Sequence, residues 1–144
     1  MMEHHNIENK IKVLIADDDG LIRDSLRLLI DLESDMTTVG TARNGQEAFA
    51  LCAALRPDIV LMDIRMPEVD GVQGARLIKK DFPEILVLIL TTFKDDEFIK
   101  EAVKNGATGY ILKSQPAELI ISSLRTAAKG LLVFDRSAME VLSQ

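Results

Sequence analysis

Ile11-Lys12-Val13-Leu14-Ile15-Ala16-Asp17-Asp18-Asp19-Gly20 is a short apolar, partly β-branched run that stops in three acids and a glycine. Such a run suits a buried strand ending in a loop. Over residues 21–32 the period changes. Ile22, Leu26, Leu29 and Ile30 recur at helical spacing, with Arg23, Asp24 and Arg27 on the other side. The unit is strand, acidic loop, helix, and it decides the fold because the rest of the chain repeats it.

Residues 36–42, with Thr37, Thr38 and Val39, form a weaker strand candidate, and Asn44 with Glu47 reads as a capping box opening a helix to about Leu55. Pro57 leads into Ile59-Val60-Leu61-Met62, a strand ended by Asp63. Asp70-Gly71 caps and starts a helix over residues 71–80. Beyond Pro83, Ile85-Leu86-Val87-Leu88-Ile89-Leu90 is the most apolar strand, followed by Thr91 and Thr92. Asp95, Asp96 and Glu97 place acid at a helix N-terminus, where the dipole favours it, and Asn105-Gly106 stops that helix. Residues 108–112 make the last strand, ending at Lys113, and Pro116 takes the first position of a helix to about Lys129. Five strands alternating with five helices define an α/β, doubly wound, five-stranded parallel sheet. Its binding crevice is expected at the carboxyl ends of the strands. The residues just past those ends are Asp17, Asp18, Asp63, Thr91 and Lys113.

Composition narrows the function. A chain of 144 residues is one domain and buries a core without disulfides. With 47% hydrophobic and 28% charged residues it reads as soluble and globular. Seventeen basic against 23 acidic residues give a net charge of −6, which argues against nucleic-acid binding by this surface. A lone Cys52 makes neither an internal disulfide nor a cysteine zinc site and is expected in the core. No apolar run approaches the ~18–20 residues of a membrane span. Residues 1–10 have no apolar segment of a secretory signal and read as a disordered extension, with His4-His5 a weaker metal candidate. A cytoplasmic location is expected.

Singly, each of the five strand-end residues reads as a cap or a solvated loop residue, and one of Asp17–Asp19 as a helix N-cap. Their joint placement on one sheet edge changes this. Clustered carboxylates repel, and a divalent cation is the simplest remedy. Mg²⁺ takes oxygen ligands, typically one or two carboxylates with waters and phosphate oxygens. A lysine is a compact charge suited to phosphate, and a threonine hydroxyl donates one more bond. Carboxylates also act as nucleophiles forming aspartyl phosphates, and phosphoryl transfer needs mainly positioning and charge neutralisation. Asp63 stands alone at the central strand and is the expected acceptor. Asp18, helped by Asp17, is the expected metal anchor.

These residues resemble, as an ordered set, the receiver domain of bacterial two-component response regulators. The set comprises Asp17-Asp18, Asp63-Ile64-Arg65-Met66-Pro67-Glu68-Val69-Asp70-Gly71, Thr91-Thr92 and Gly109-Tyr110-Ile111-Leu112-Lys113. The resemblance covers about residues 11–129. Leu90-Thr91-Thr92-Phe93 and Leu112-Lys113-Ser114 are most similar to the NarL/LuxR-type subfamily. The resemblance implies the flavodoxin-like strand order 2-1-3-4-5 and phosphorylation of Asp63 by a histidine kinase. It implies Mg²⁺ on Asp18, Asp63 and the backbone carbonyl of Arg65, with Asp17 acting through water. Thr91 and Lys113 would hold the phosphoryl oxygens, and Tyr110 would change rotamer with Thr91. Arg65 and Phe93 would flank the phosphoryl group. One departure is that Ser114-Gln115 precede Pro116, where many receivers have proline directly after the lysine, so a cis Lys113–Ser114 bond is not to be assumed.

On the final helix, about half of Leu119, Ile120, Ile121 and Leu124 is assigned to the core and the rest, with Phe98, to a homodimer face formed on phosphorylation. Residues 130–144 read as the start of a linker toward a helix-turn-helix output domain, the only route to DNA, with their apolar side chains packed on the receiver or a second copy. Besides a stand-alone receiver working through protein contacts, three rivals are weighed: an Asp-nucleophile phosphatase, a flavin- or nucleotide-binding module, and a degenerate receiver acting only as a scaffold, against which all five site residues are present. The phosphatase class usually carries a cap insertion that is missing here, and no glycine-rich phosphate loop follows the first strand.

Overall fold

The strand β1 (Ile11–Ala16) lies between β2 (Met36–Ala42) and β3 (Ile59–Met62), and the sheet continues through β4 (Leu86–Thr91) and β5 (Gly109–Leu112) to β6 (Val133–Phe134). All pairings are parallel. Helices α1 (Gly20–Asp31), α2 (Gly45–Leu55), α3 (Gly71–Asp81), α4 (Asp96–Lys104) and α5 (Ala117–Ala128) alternate with the strands. The computed structural model describes residues 9–92, 96–134 and 139–140. His4, His5, Phe93, Asp95 and most of the 135–142 segment lie outside the described residues.

Continuous apolar strands need cover on both faces, and both faces are covered. Val13, Ile15, Ile59, Leu61, Leu88 and Leu90 pack with Leu26 and Ile30 of α1 and with Ile120 and Leu124 of α5. The alternate residues Leu14, Ala16, Val60, Met62, Val87 and Ile89 pack with Ala48 and Cys52 of α2, Ala75 and Ile78 of α3, and Ile99 and Ala102 of α4. Each large apolar side chain buried this way is worth about 1.5–3 kcal/mol. Cys52 is fully buried, and burial pushes its thiol up to about 12.

Local signals behave as the sequence implies, with small adjustments. Asp19 and Asp70 cap α1 and α3, Asp70 Oδ1 accepting from Gln73 N at 2.9 Å. Asn44 Oδ1 accepts from Glu47 N, but Glu47 returns its bond to Arg43 N rather than to the cap, so the capping box is closed one residue upstream. Pro116 is the N-cap of α5, not its first turn, because its ψ of 150° is extended. Every described peptide bond is trans.

Two expectations are corrected. The sheet has six strands in the order 2-1-3-4-5-6, not five. Two residues carry no readable period, and only the open edge of β5 gives Val133–Phe134 a partner. On α5, Ile120, Ile121 and Leu124 are all buried and only Leu119 is exposed. Ile121 is spent on the protomer's own core because α1 packs across it. Of the tail, Val133 and Phe134 pack on the domain, whereas Leu131, Leu132 and Met139 stay exposed.

Candidate functional site

Strand order brings the two key carboxylates together. β1 and β3 are neighbours, with Ala16 paired to Met62, so the next residues of each strand, Asp17 and Asp63, emerge side by side. Asp63 N donates to Ala16 O at 2.9 Å, and Asp17 N donates to Ala42 O at 3.0 Å. This crevice is the point where the chain reverses its direction of winding, the expected binding position in such sheets.

Lys113 closes the group from β5. Its Nζ donates to Asp63 Oδ2 at 3.1 Å and to Asp17 Oδ2. Asp17 and Asp63 are buried, while Asp18 is exposed. Single carboxylate oxygens of Asp17, Asp18 and Asp63 all lie within 4.8 Å of one another. Burial pushes the Asp63 carboxyl above its ordinary range; Lys113 pulls it part of the way back, and Asp17 pushes it up again. Burial works against the Lys113 ammonium, but hydrogen bonds and charge from Asp17 and Asp63 outweigh it and hold its pKa above the usual value.

The backbone fixes these groups. Ile64 N donates to Asp63 Oδ1 at 2.8 Å, and Asp19 N donates to Asp17 Oδ1 at 2.9 Å. Lys113 N donates to Thr91 O at 2.7 Å, tying the ends of β4 and β5. Thr91 is fully buried, and among the described residues its Oγ1 has no hydrogen-bond partner. An unmet buried hydroxyl costs about 1–3 kcal/mol, which an incoming oxygen would remove. Tyr110 is buried one strand over, beside Ile89 in the register. Arg65 is exposed at the rim.

Two residues of the site were not assigned to it from the sequence. Arg23, placed on the outer side of α1, turns back and donates from Nη1 to Asp17 O at 2.7 Å. Gly71, read as a helix start and as the end of the motif that begins at Asp63, lies against the backbone of Asp63, and a Cβ there would stand 2.0 Å from Asp63 O. The glycine eight residues beyond Asp63 was the available signal, but only the folded loop shows the closeness.

The donor set suits a hard cation: every candidate ligand atom in the cluster is a carboxylate oxygen. A parallel-sheet edge that gathers carboxylates, a half-buried lysine and an unmet threonine hydroxyl defines an α/β domain with an acidic, cation-suited crevice. Residues 13–125 match the family model described as the response regulator receiver domain, and the chain belongs to that family. It is 47% identical over 123 residues to the transcriptional regulatory protein LnrK of Bacillus subtilis (strain 168), covering 85% of this chain and 56% of LnrK. The chain thus spans little more than half the length of that relative. A LuxR-family two-component response regulator from Aurantimonas sp. SI85-9A1 superposes with a TM-score of 0.87 at 25% identity, covering 93% of this chain and 96% of its own. The receiver domain of the putative response regulator NarL from Mycobacterium tuberculosis gives 0.81 at 30% identity, covering 85% and 98%.

Proposed function

We propose that the chain is a phosphoryl-accepting switch, with Asp63 taking the phosphoryl group of a histidine kinase. The observation that carries this reading is the pairing of the buried Asp63 carboxylate with Lys113, whose backbone N is bonded to Thr91 O, together with a Thr91 Oγ1 that has no partner among the described residues. In the reaction an Asp63 carboxylate oxygen forms a bond to phosphorus. The bond from phosphorus to the kinase imidazole nitrogen breaks, and its electron pair stays on that nitrogen. Lys113 and Thr91 then bind phosphoryl oxygens. Asp18 and Asp63, with the Arg65 carbonyl and Asp17 through water, would hold Mg²⁺. When bound, the ion neutralises charge on the carboxylates and the transferred group.

Drawing Thr91 and Lys113 inward shifts β4 and β5 against each other, and Tyr110 follows Thr91. A switch rather than a turnover enzyme is favoured because only Asp17–Asp19 separate β1 from α1, which leaves no room for a cap inserted at that point. By its similarity to LnrK we infer control of a transcription factor, with residues past α5 leading toward a DNA-binding output domain. A stand-alone receiver acting through protein contacts is the second reading; the exposed Leu21 and Leu28 on α1 and Leu32 at its C-cap favour it. Homodimerisation on phosphorylation belongs to either reading, without Ile121 at the interface. A cytoplasmic place fits a kinase-fed switch; among the described residues no helix is long and apolar enough to cross a membrane.

The test is acetyl phosphate with Mg²⁺, read by intact mass. The wild-type protein gains one phosphoryl group and Asp63→Asn gains none while keeping its far-UV circular dichroism. An acyl phosphate in Asp63→Asn sinks the assignment.

A further inference from the structure

The segment after α5 raises a separate question. Val133 and Phe134 straddle the open edge of the sheet: Val133 packs toward the α1 and α5 side, Phe134 toward the α2–α4 side. Val133 N donates to Thr108 O at 3.1 Å, and Phe134 lies opposite Tyr110 in the register. Just before them Leu131 and Leu132 are 57% and 73% exposed. An open groove of about 490 Å³, lined by Val103, Ala107, Leu132, Phe134 and Met139, runs along the segment. An edge strand of two residues, preceded by exposed leucines and bordered by an open groove, is weakly held, and weakly held segments open on their own.

Gly109 explains why the segment docks at all. A Cβ at Gly109 would stand 2.2 Å from Val133 O. Glycine inside a strand costs stability and marks a close approach of another backbone. Tyr110, the next residue, meets Phe134, and at the far end of β5 Leu112 pairs with Thr91 while Lys113 is bonded to Thr91 O. β5 therefore has the site at one end and the docked segment at the other.

We propose that residues 131–134 form a detachable strap on the β5 edge, seated by Gly109 and Phe134, whose release signals the phosphorylation of Asp63 to the residues that follow. The strap rests on the reading of Asp63 as phosphoacceptor only for its trigger, not for its seat. As Thr91 and Lys113 close on the phosphoryl group, β5 shifts, Tyr110 no longer backs Phe134, and the short strand leaves.

Hydrogen exchange of a peptide covering residues 130–134 tests both parts. Gly109→Val fills the seat. Val133→Pro removes the donor to Thr108 O and alters only a partly buried side chain at the sheet edge, so it remains informative if the glycine variant folds poorly. Both are expected to speed exchange about tenfold while β1 and β3 keep their protection. Unchanged exchange in Val133→Pro overturns the seat. Wild-type protein phosphorylated by acetyl phosphate, verified by its mass gain, is expected to show the same acceleration, and Asp63→Asn none. A verified mass gain with unchanged exchange overturns the trigger while leaving Asp63 as acceptor. No mass gain overturns the acceptor reading and the trigger together, and the two substitutions still decide the seat.

Discussion

The α-carbon of Gly71 faces the carbonyl oxygen of Asp63 so closely that a methyl group in place of its hydrogen would lie 2.0 Å from that oxygen. Gly71 N also donates to Ile64 O at 2.8 Å, so the start of α3 is clamped to the loop that carries Asp63. Gly71→Ala must push this loop away, and backbone on backbone leaves no flexible side chain to give. The expected cost is about 1–3 kcal/mol in chemical denaturation, as for other overpacked sites. Mg²⁺ binding should weaken in parallel. Unaltered stability with unaltered Mg²⁺ binding would contradict the clamp.

Lys113 lies between Asp17 and Asp63 with 12% of its side chain exposed. Removing one partner of a buried ion pair costs about 3–5 kcal/mol because the remaining charge is left uncompensated. Lys113→Ala should therefore lose about that much stability in the presence of a chelator. Mg²⁺ should restore part of the loss by supplying the missing positive charge. In the Asp63→Asn background the same lysine substitution should cost less, and the difference is read from a double-mutant cycle of urea melts.

Asp18 is exposed and joins the carboxylate group without a partner role in the core. Asp18→Asn should leave the melting temperature in chelator nearly unchanged. It should remove most of the rise that Mg²⁺ produces in the wild-type protein. At a concentration ~100 times its dissociation constant, a ligand of the native state adds about 2.7 kcal/mol. An equal Mg²⁺ response in both proteins, followed by thermal melts, would remove Asp18 from the metal site.

Arg125 of α5 donates to Asp35 through Nε at 2.7 Å and through Nη2 at 3.0 Å, and also to Glu33. Its hydrogen bond with Asp35 holds that carboxyl below its ordinary pKa. A folded pKa below the unfolded one means the stabilisation is present above the unfolded value and is lost as pH falls through the folded one. Asp35→Asn should lower the melting temperature modestly at pH 7, since the pair is partly exposed. The gap to wild type should close as pH drops below ~4. A gap that persists in acid would assign the loss to packing.

The ends of β1, β3 and β4 and the starts of α1 and α3 were readable because each is marked by a local event: an apolar run meeting Asp17, Asp63 or Thr91, or a cap at Asp70. Thus the class of fold and its receiver resemblance followed from the chain alone, as did the expectation that Asp17, Asp18, Asp63 and Lys113 gather at one sheet edge. β6 was not readable, because two residues have no periodicity and β5 supplies the bonding partners from 24 positions earlier in the Gly109–Val133 pair. The burial of Ile121 depended on α1 lying across α5, a relationship absent from either helix.

By itself the sequence determined which residues end each strand, and therefore which chemistry could gather at one edge. Only the tertiary structure decided that β1 and β3 are neighbours with Ala16 opposite Met62, that Lys113 bridges Asp17 and Asp63, and that Gly71 and Gly109 sit under other backbones. The physical reason is range. Caps, periods and turns are set within a few residues, whereas strand order, register and close backbone approach are set by the packing of segments dozens of residues apart.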